Sequence, residues 1–352
     1  MRNITKTLLV LVTSLSMSFA AWAGEVTLTG SAKASYTIGG ADDSNGKGIG
    51  VSNELKVAAS GEMDNGFTWN YHLDLDPGAS GAMVQDDAGL VITMNDMGAI
   101  AFYDGEGGLD ATLAWGVGAL GSGSDYGSPM TIEYGNDVDS ETNVQYHTPA
   151  DLLPFGLQAK VGYVPNIGDT TGGNDFKSTG GLNPVAIGGN QATMYNVSAS
   201  PIEGLSIAAD YYEQDGGTAT AQENESGAWG AKYAMGNFKV GYGKAYYAVP
   251  LSNKNGSVSK YETTSMGVEI AVNDNLSISL SEEKSEAFTD VAIVATASSG
   301  TKTSVESEIQ SVQAAYVVGG ATLGVALQEA SDSDYISGKE EKLSIFTIAM
   351  AF

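Results

Sequence analysis

Few residues in this chain are equipped for chemistry. It holds 2 histidines and no cysteine, which removes disulfides, thiolate metal sites and cysteine nucleophiles together. His72 is followed at every second position by Asp74 and Asp76. In an extended chain that spacing puts all three side chains on one face. A histidine beside a carboxylate has the parts for acid–base work, but at i,i+2 in a strand the same trio reads better as a polar wall. The second histidine, His147, lies near Pro149. No catalytic site is expected. Gly116, Gly118 and Gly121 spell a dinucleotide fingerprint, yet they lie in a Gly/Ser-rich stretch without a βαβ unit, among 46 glycines.

Acids supply the other candidates. Segment 104–140 and its exit carry Asp104, Glu106, Asp110, Asp125, Glu133, Asp137, Asp139 and Glu141. Clustered oxygen ligands at Asp42-Asp43-Ser44-Asn45-Gly46 and Ser331-Asp332-Ser333-Asp334 are of the kind calcium prefers. Neither completes a recognised calcium loop, and both read first as solvated tips. No other cofactor is implied.

The elements that must position these residues follow from composition and periodicity. The 352 residues carry a formal net charge of −26. Met1 to Ala23 combines a basic start (Arg2, Lys6), an apolar run from Leu8 to Ala21 and an Ala21-Trp22-Ala23 site, the pattern of a cleaved secretory signal peptide. The apolar run falls short of the ~20 residues a spanning helix needs. The mature chain, 24–352, then has 14 lysines, no arginine and 42 acids, a net charge of −28 over 329 residues. Such a balance excludes nucleic acid as a partner, because phosphate contacts need a basic face. With 42% hydrophobic residues and 17 tyrosines the chain is also not of disordered composition.

Period-two alternation dominates the mature sequence. Val26, Leu28, Gly30, Ala32, Ala34, Tyr36 and Ile38 alternate with Thr27, Thr29, Ser31, Lys33, Ser35 and Thr37, a long strand with one apolar and one polar face. Phe67, Trp69, Tyr71, Leu73 and Leu75 alternate likewise with polar residues that include His72, Asp74 and Asp76. The pattern recurs at 155–163 and 205–211, and in Phe346, Ile348, Met350 and Phe352. Tight turns are expected at 63–66, 95–98, 149–154, 201–204, 235–237, 273–275 and 318–320, where Asn, Asp and Gly supply positive φ. Longer polar segments are expected near 39–52, 77–87, 104–140, 165–190, 213–226, 248–260, 285–303 and 328–340. Seven turns and eight long loops give fifteen connections, hence sixteen strands.

Short connections at one end, long ones at the other and an apolar outer face predict an all-β fold, a sixteen-stranded antiparallel transmembrane β-barrel. In lipid a sheet must close on itself, since an open edge leaves amides unpaired. Phe67, Phe155, Tyr233, Phe238 and Phe352 beside the short turns read as an interfacial girdle.

The chain resembles the general diffusion porins of Gram-negative outer membranes, particularly those of alphaproteobacteria. The residues that carry the resemblance are Gly24-Glu25-Val26 opening the first strand, Asn95-Asp96-Met97-Gly98-Ala99-Ile100, and Asp104 to Asp110. Asn143-Val144-Gln145-Tyr146-His147-Thr148-Pro149, Phe155-Gly156-Leu157 and the terminal Phe352 complete the set. The resemblance implies passive diffusion of ions and small hydrophilic solutes, and a homotrimer in outer-membrane lipid and lipopolysaccharide. It further implies a third loop (104–140) folded inward as a constriction, some of whose acids face the pore. Phe352 would be the signature read by the outer-membrane assembly machinery. Small outward residues (Gly30, Ala32, Ala34, Ala59, Gly61) suit close approach of a neighbouring barrel.

One feature of that family is missing here. Its arginine wall opposite the loop has no counterpart, because the mature chain lacks arginine and the stretch around Asn143 and Gln145 is neutral. Lys33, Lys56, Lys160, Lys232 and Lys239 have the parity of the inner face, and Lys33 and Lys56 are the best substitutes, although lysine cannot stack in a planar ladder. His72, Asp74 and Asp76 make that wall less positive still. The expectation is a cation-preferring pore. The alternatives are a substrate-specific channel, or a barrel serving as surface adhesin or structural anchor.

Overall fold

The computed structural model describes residues 24–352 except 42–45, 78–82, 106, 112–115, 125, 127–131, 140, 150–151, 166, 168–190, 216–221, 252–257 and 290–302. Residues 1–23, expected to be a signal peptide, the Asp42–Asn45 cluster, Glu106 and Asp125 lie outside the described residues.

Sixteen antiparallel strands form one closed sheet. They are β1 (Val26–Ala41), β2 (Gly46–Glu62), β3 (Thr68–Pro77), β4 (Met83–Thr93), β5 (Ala99–Asp104), β6 (Asn143–His147), β7 (Gln158–Val164) and β8 (Gln191–Ala199). The second half comprises β9 (Leu205–Asp215), β10 (Asn224–Met235), β11 (Phe238–Ala248), β12 (Val258–Asn273), β13 (Leu276–Thr289), β14 (Thr303–Val318), β15 (Ala321–Ser331) and β16 (Glu341–Ala351). Each strand pairs with its chain neighbours, and β1 closes on β16 in a register that sets Tyr36 opposite Phe346. Six of the seven tight turns lie where expected, whereas the connection between β6 and β7 runs from 148 to 157, longer than the expected 149–154. Positive φ is taken by Gly66, Gly98, Gly204, Gly236, Gly319 and Gly320.

Several of the long polar segments, 39–52 and 77–87 among them, are shorter than their polarity suggests. In 39–52, residues up to Ala41 and from Gly46 onward are strand, with Gly39 opposite Gly46 and Ser35 opposite Gly50. In 77–87, strand β4 already begins at Met83. Beyond the apolar band the two strands still satisfy each other's backbone groups, so polar side chains do not end the ladder.

Burial confirms which face is which. Leu28, Val51, Phe102, Val197, Trp229, Val240, Leu280, Val312, Leu327 and Phe346 are exposed on the outside. Ser281, Glu283, Ser285, Ser307, Ser311, Gln313 and Gln328 are buried on the inside. An apolar exterior around a polar interior inverts a soluble core and belongs to a barrel in lipid. Apolar packing inside is confined to small clusters among the described residues. Leu109 and Val138 pack with Val164, Ala192, Met194 and Tyr212; Ile132 packs with Ile309 and Ala330.

Two of the small outward residues have a local explanation. A Cβ on Gly30 would lie 2.7 Å from the Phe352 ring, and one on Gly61 would lie 2.8 Å from Trp69. Both glycines make room for an aromatic ring of the same barrel, an arrangement that fills the gap in a glycine-bearing strand. At these two positions the space is taken from within the chain.

Candidate pore wall and loop anchorage

The residues of β2, β3 and β4 that point away from the apolar band converge on one cavity of about 500 Å³, lined by Glu54, Lys56, His72, Asp74, Asp76, Asp86, Asp87, Tyr103, Gly107 and Gly108. The register places Lys56 directly opposite Asp74, and their side chains meet at 2.5 Å. His72 Nε2 lies 3.4 Å from Asp87 Oδ1. Asp74 and Asp87 are 7% and 8% exposed, so each carboxylate is removed from most of its water.

A β-bulge builds this wall. Leu73 pairs with Ala88 and Leu75 with Gln85, so Asp86 and Asp87 together face the single residue Asp74. A bulge sets two residues of one strand against one of its partner and re-aims their side chains. Both acids therefore line the cavity, although consecutive residues in a regular strand point to opposite faces. Gly89, opposite His72, leaves the space that the imidazole uses: a Cβ there would sit 2.3 Å from His72 Cε1. The Tyr103 ring lies 6.2 Å from the imidazole, centroid to centroid.

Of the residues singled out in the sequence, Lys56, His72, Asp74 and Asp76 are brought together here. Glu54, Asp86, Asp87 and Tyr103 join them without having been anticipated. Asp86 and Asp87 fall in a stretch read as loop, and only the Asp-Asp pair interrupting the alternation hinted at a bulge. Lys33 lies elsewhere, its Nζ 5.2 Å from the centroid of the Tyr126 ring. Lys160 donates to the carbonyl of Gly108 at 3.3 Å, and Lys239 pairs with Glu269 at 2.8 Å.

The described loop acids do not line this cavity. Asp104 ends β5 and accepts hydrogen bonds from Gln85 and Thr142. Asp110 lies beside Asp210 of β9, whose carboxylate accepts the backbone N–H groups of Ala111 and Ala228 at 2.6 and 2.8 Å. Asp137 and Glu141 act electrostatically on Tyr212. Glu133 sits near Tyr247, Tyr261 and Tyr335, and burial pushes its carboxyl above the ordinary range despite a 3.3 Å bond from the Gly135 N–H. Burial also pushes the Tyr335 hydroxyl up to about 12.

Beyond Asp104, the described residues of segment 104–140 form no β-strand, so their backbone groups need other partners. The wall supplies them. Leu120 N–H donates to Gln313, and Ala119 N–H to Ser279. Glu283 accepts from Gly123 N–H (3.0 Å), Ser124 N–H (3.1 Å) and the Tyr134 hydroxyl (2.9 Å). Gln328 donates to the carbonyls of Gly123 and Tyr126, Asn196 to that of Leu109, and Thr263 to that of Glu133. The hydroxyls of Tyr126 and Thr347 share a bond of 2.5 Å. One carboxylate serving three donors is a strong point of attachment.

In the connection between β15 and β16, the Asp332–Asp334 tip is organised by its own chain. Asp332 accepts the Gly338 N–H at 2.5 Å, and Asp334 pairs with Lys339 at 2.6 Å. Lys339 also reaches Glu341, and these hydrogen bonds hold its ammonium well above the usual lysine range.

No family model and no curated protein sequence matches the chain. Solved structures do. A loop L8 deletion mutant of OmpT, an outer membrane protein of Vibrio cholerae, superposes with a TM-score of 0.66 at 15% identity, over 94% of this chain and 100% of that one. OmpF of Salmonella typhi, in a complex with daunomycin, gives 0.64 at 12% identity over 94% and 98%. The anion-selective porin from Comamonas acidovorans gives 0.61 at 13% identity over 93% and 99%. At such identities the likeness is one of architecture, and the chain has the fold of the Gram-negative outer-membrane porins.

Proposed function

We propose that this protein is an outer-membrane porin: a water-filled channel for passive diffusion of ions and small hydrophilic solutes, preferring cations. The observation that carries the preference is the wall of β2–β4. Five carboxylates (Glu54, Asp74, Asp76, Asp86, Asp87) face one lysine and one histidine across the same cavity, and Lys56 is already paired to Asp74. Selectivity follows the charge of the groups lining the passage, and a sixteen-stranded barrel is wide enough to hold water. The likeness to an anion-selective porin, at 13% identity, is one of architecture alone.

In this reading segment 104–140 is the constriction. Its support is the set of hydrogen bonds that tie it to the inner faces of β8, β9 and β12–β16. Homotrimers are part of the reading, because OmpT of Vibrio cholerae is described in a trimer form. Gly30 and Gly61 lend that no weight, whereas Ala32, Ala34 and Ala59 remain small outward residues. Outer-membrane lipid and lipopolysaccharide would surround the barrel, the loop acids bridging to the latter through divalent ions. Assembly through the terminal Phe352 and the alphaproteobacterial affinity of the sequence belong to the same proposal. No catalytic role is assigned.

The test is the reversal potential of single channels in a KCl gradient. Cation selectivity supports the reading, and chloride preference overturns it. An adhesin or anchor would conduct nothing, and a substrate-specific channel would show saturable block by one solute.

A further inference from the structure

We propose that His72, Asp74 and Asp87 bind one divalent transition-metal ion of the zinc class on the inner wall of the barrel. One nitrogen of His72 and one oxygen from each carboxylate lie within 4.8 Å of one another. The 3.4 Å between His72 Nε2 and Asp87 Oδ1 is long for a hydrogen bond. It matches the edge of about 3.4 Å between two ligands of a tetrahedral ion whose bonds are about 2.1 Å.

A second observation points to a cation. The Asp74 side chain is 10% exposed. Its Oδ2 holds Lys56, while Oδ1 has no hydrogen-bond partner among the described residues. A buried carboxylate oxygen without a donor is costly, and a metal ion beside His72 would satisfy it. Lys56 opposes the ion by charge, but Glu54, Asp76 and Asp86 around the same cavity outweigh it.

The site is also built in advance. Its three ligands stand on paired strands rather than on loop tips, which is where a metal geometry is held most closely. The bulge brings Asp87 in, and the missing side chain at Gly89 seats the imidazole. The cavity leaves room for water to complete the coordination shell. Imidazole with carboxylates selects first-row metals over calcium and magnesium, which favour oxygen alone.

The experiment is equilibrium dialysis of the chelator-treated, detergent-purified barrel against Zn²⁺ in excess Ca²⁺, with metal per chain measured by elemental analysis. One zinc per chain is expected, with affinity falling at least tenfold in His72→Ala, His72→Gln and Asp87→Asn and unchanged in the distant Asp334→Asn. Heat-modifiability on gels identifies which variants are folded, and His72→Gln keeps the side-chain bulk if His72→Ala does not fold. Absence of zinc in the wild type, or undiminished binding in a folded His72 variant, overturns the proposal. A wild type that binds zinc yet conducts no current leaves the metal site standing and sinks the channel reading.

Discussion

Gly30 and Phe352 seal the barrel as a reciprocal pair. The Gly30 N–H donates to the Phe352 carbonyl at 2.8 Å, and the Phe352 N–H returns a bond to Gly30 at 2.9 Å. The terminal ring lies over the space that a Gly30 side chain would fill. Phe352 thus extends the pairing of β16 with β1 one residue beyond Ala351, and its ring has room there because Gly30 lacks a Cβ. Gly30→Val should force the ring aside and cost about 1–3 kcal/mol, as overpacking does. Heat-modifiability should report a lower unfolding temperature, with Gly30→Ala intermediate. An unchanged temperature in Gly30→Val would show that the ring adapts freely.

The acid wall should set the sign of selectivity. Replacing Asp76 and Asp86 by asparagine leaves the Lys56–Asp74 pair intact and removes two charges from the cavity. The reversal potential in a KCl gradient should fall by at least half. Conductance at high salt should change less, because the charges are then screened within ~3 Å.

Glu133 should make stability depend on pH in one direction. Burial raises its carboxyl in the folded protein, so the folded state takes up this proton at a higher pH than the unfolded chain does. Linkage then requires that the contribution of this group lose stability as pH rises from the ordinary carboxylate range through the raised value. Glu133→Gln should remove that dependence. Melting temperatures of variant and wild type should converge at acid pH and separate toward neutrality, the variant being the more stable.

Glu283 should hold segment 104–140 in place. Glu283→Ala removes the acceptor for Gly123 N–H, Ser124 N–H and the Tyr134 hydroxyl at once. Leaving buried donors unsatisfied costs roughly 1–3 kcal/mol each, enough to free the segment without opening the closed sheet. Single-channel records should show larger and noisier steps, while far-ultraviolet circular dichroism stays that of the wild type. Glu283→Gln, which keeps one acceptor oxygen, should restore part of the quiet behaviour.

Gly89 should be intolerant of size. Gly89→Val places atoms where His72 Cε1 and the Tyr103 ring now lie. The imidazole must then leave Asp87, and conductance should drop as the displaced rings enter the cavity. Gly48 of β2, where an added Cβ would meet nothing within 4 Å, provides the control.

The strand count, six of the seven turns and the identity of the outer face were legible because they are local. Alternation from Val26 to Ile38, or from Phe67 to Asp76, follows from the pleat alone, and an Asn or Gly at a turn states its own φ. Lipid imposes the rest, since a sheet with an apolar outside has to close. The wall residues Lys56, His72, Asp74 and Asp76 could be assigned to one face for the same reason. Polarity misled at 39–52 and 83–87, where strands run on past the apolar band and remain paired.

Asp86 and Asp87 were decided elsewhere. A period-two reading assumes one residue opposite one, and a bulge is a property of the pairing between β3 and β4, which the Asp86-Asp87 pair hints at but does not fix. The anchorage of segment 104–140 is likewise non-local: Gly123 meets Glu283 across 160 residues, and Tyr126 meets Thr347 across 221. The amino-acid order determined a closed barrel with a polar inside. Which of its many acids share a cavity, and which instead hold the loop, depended on contacts that exist only after the sheet has closed.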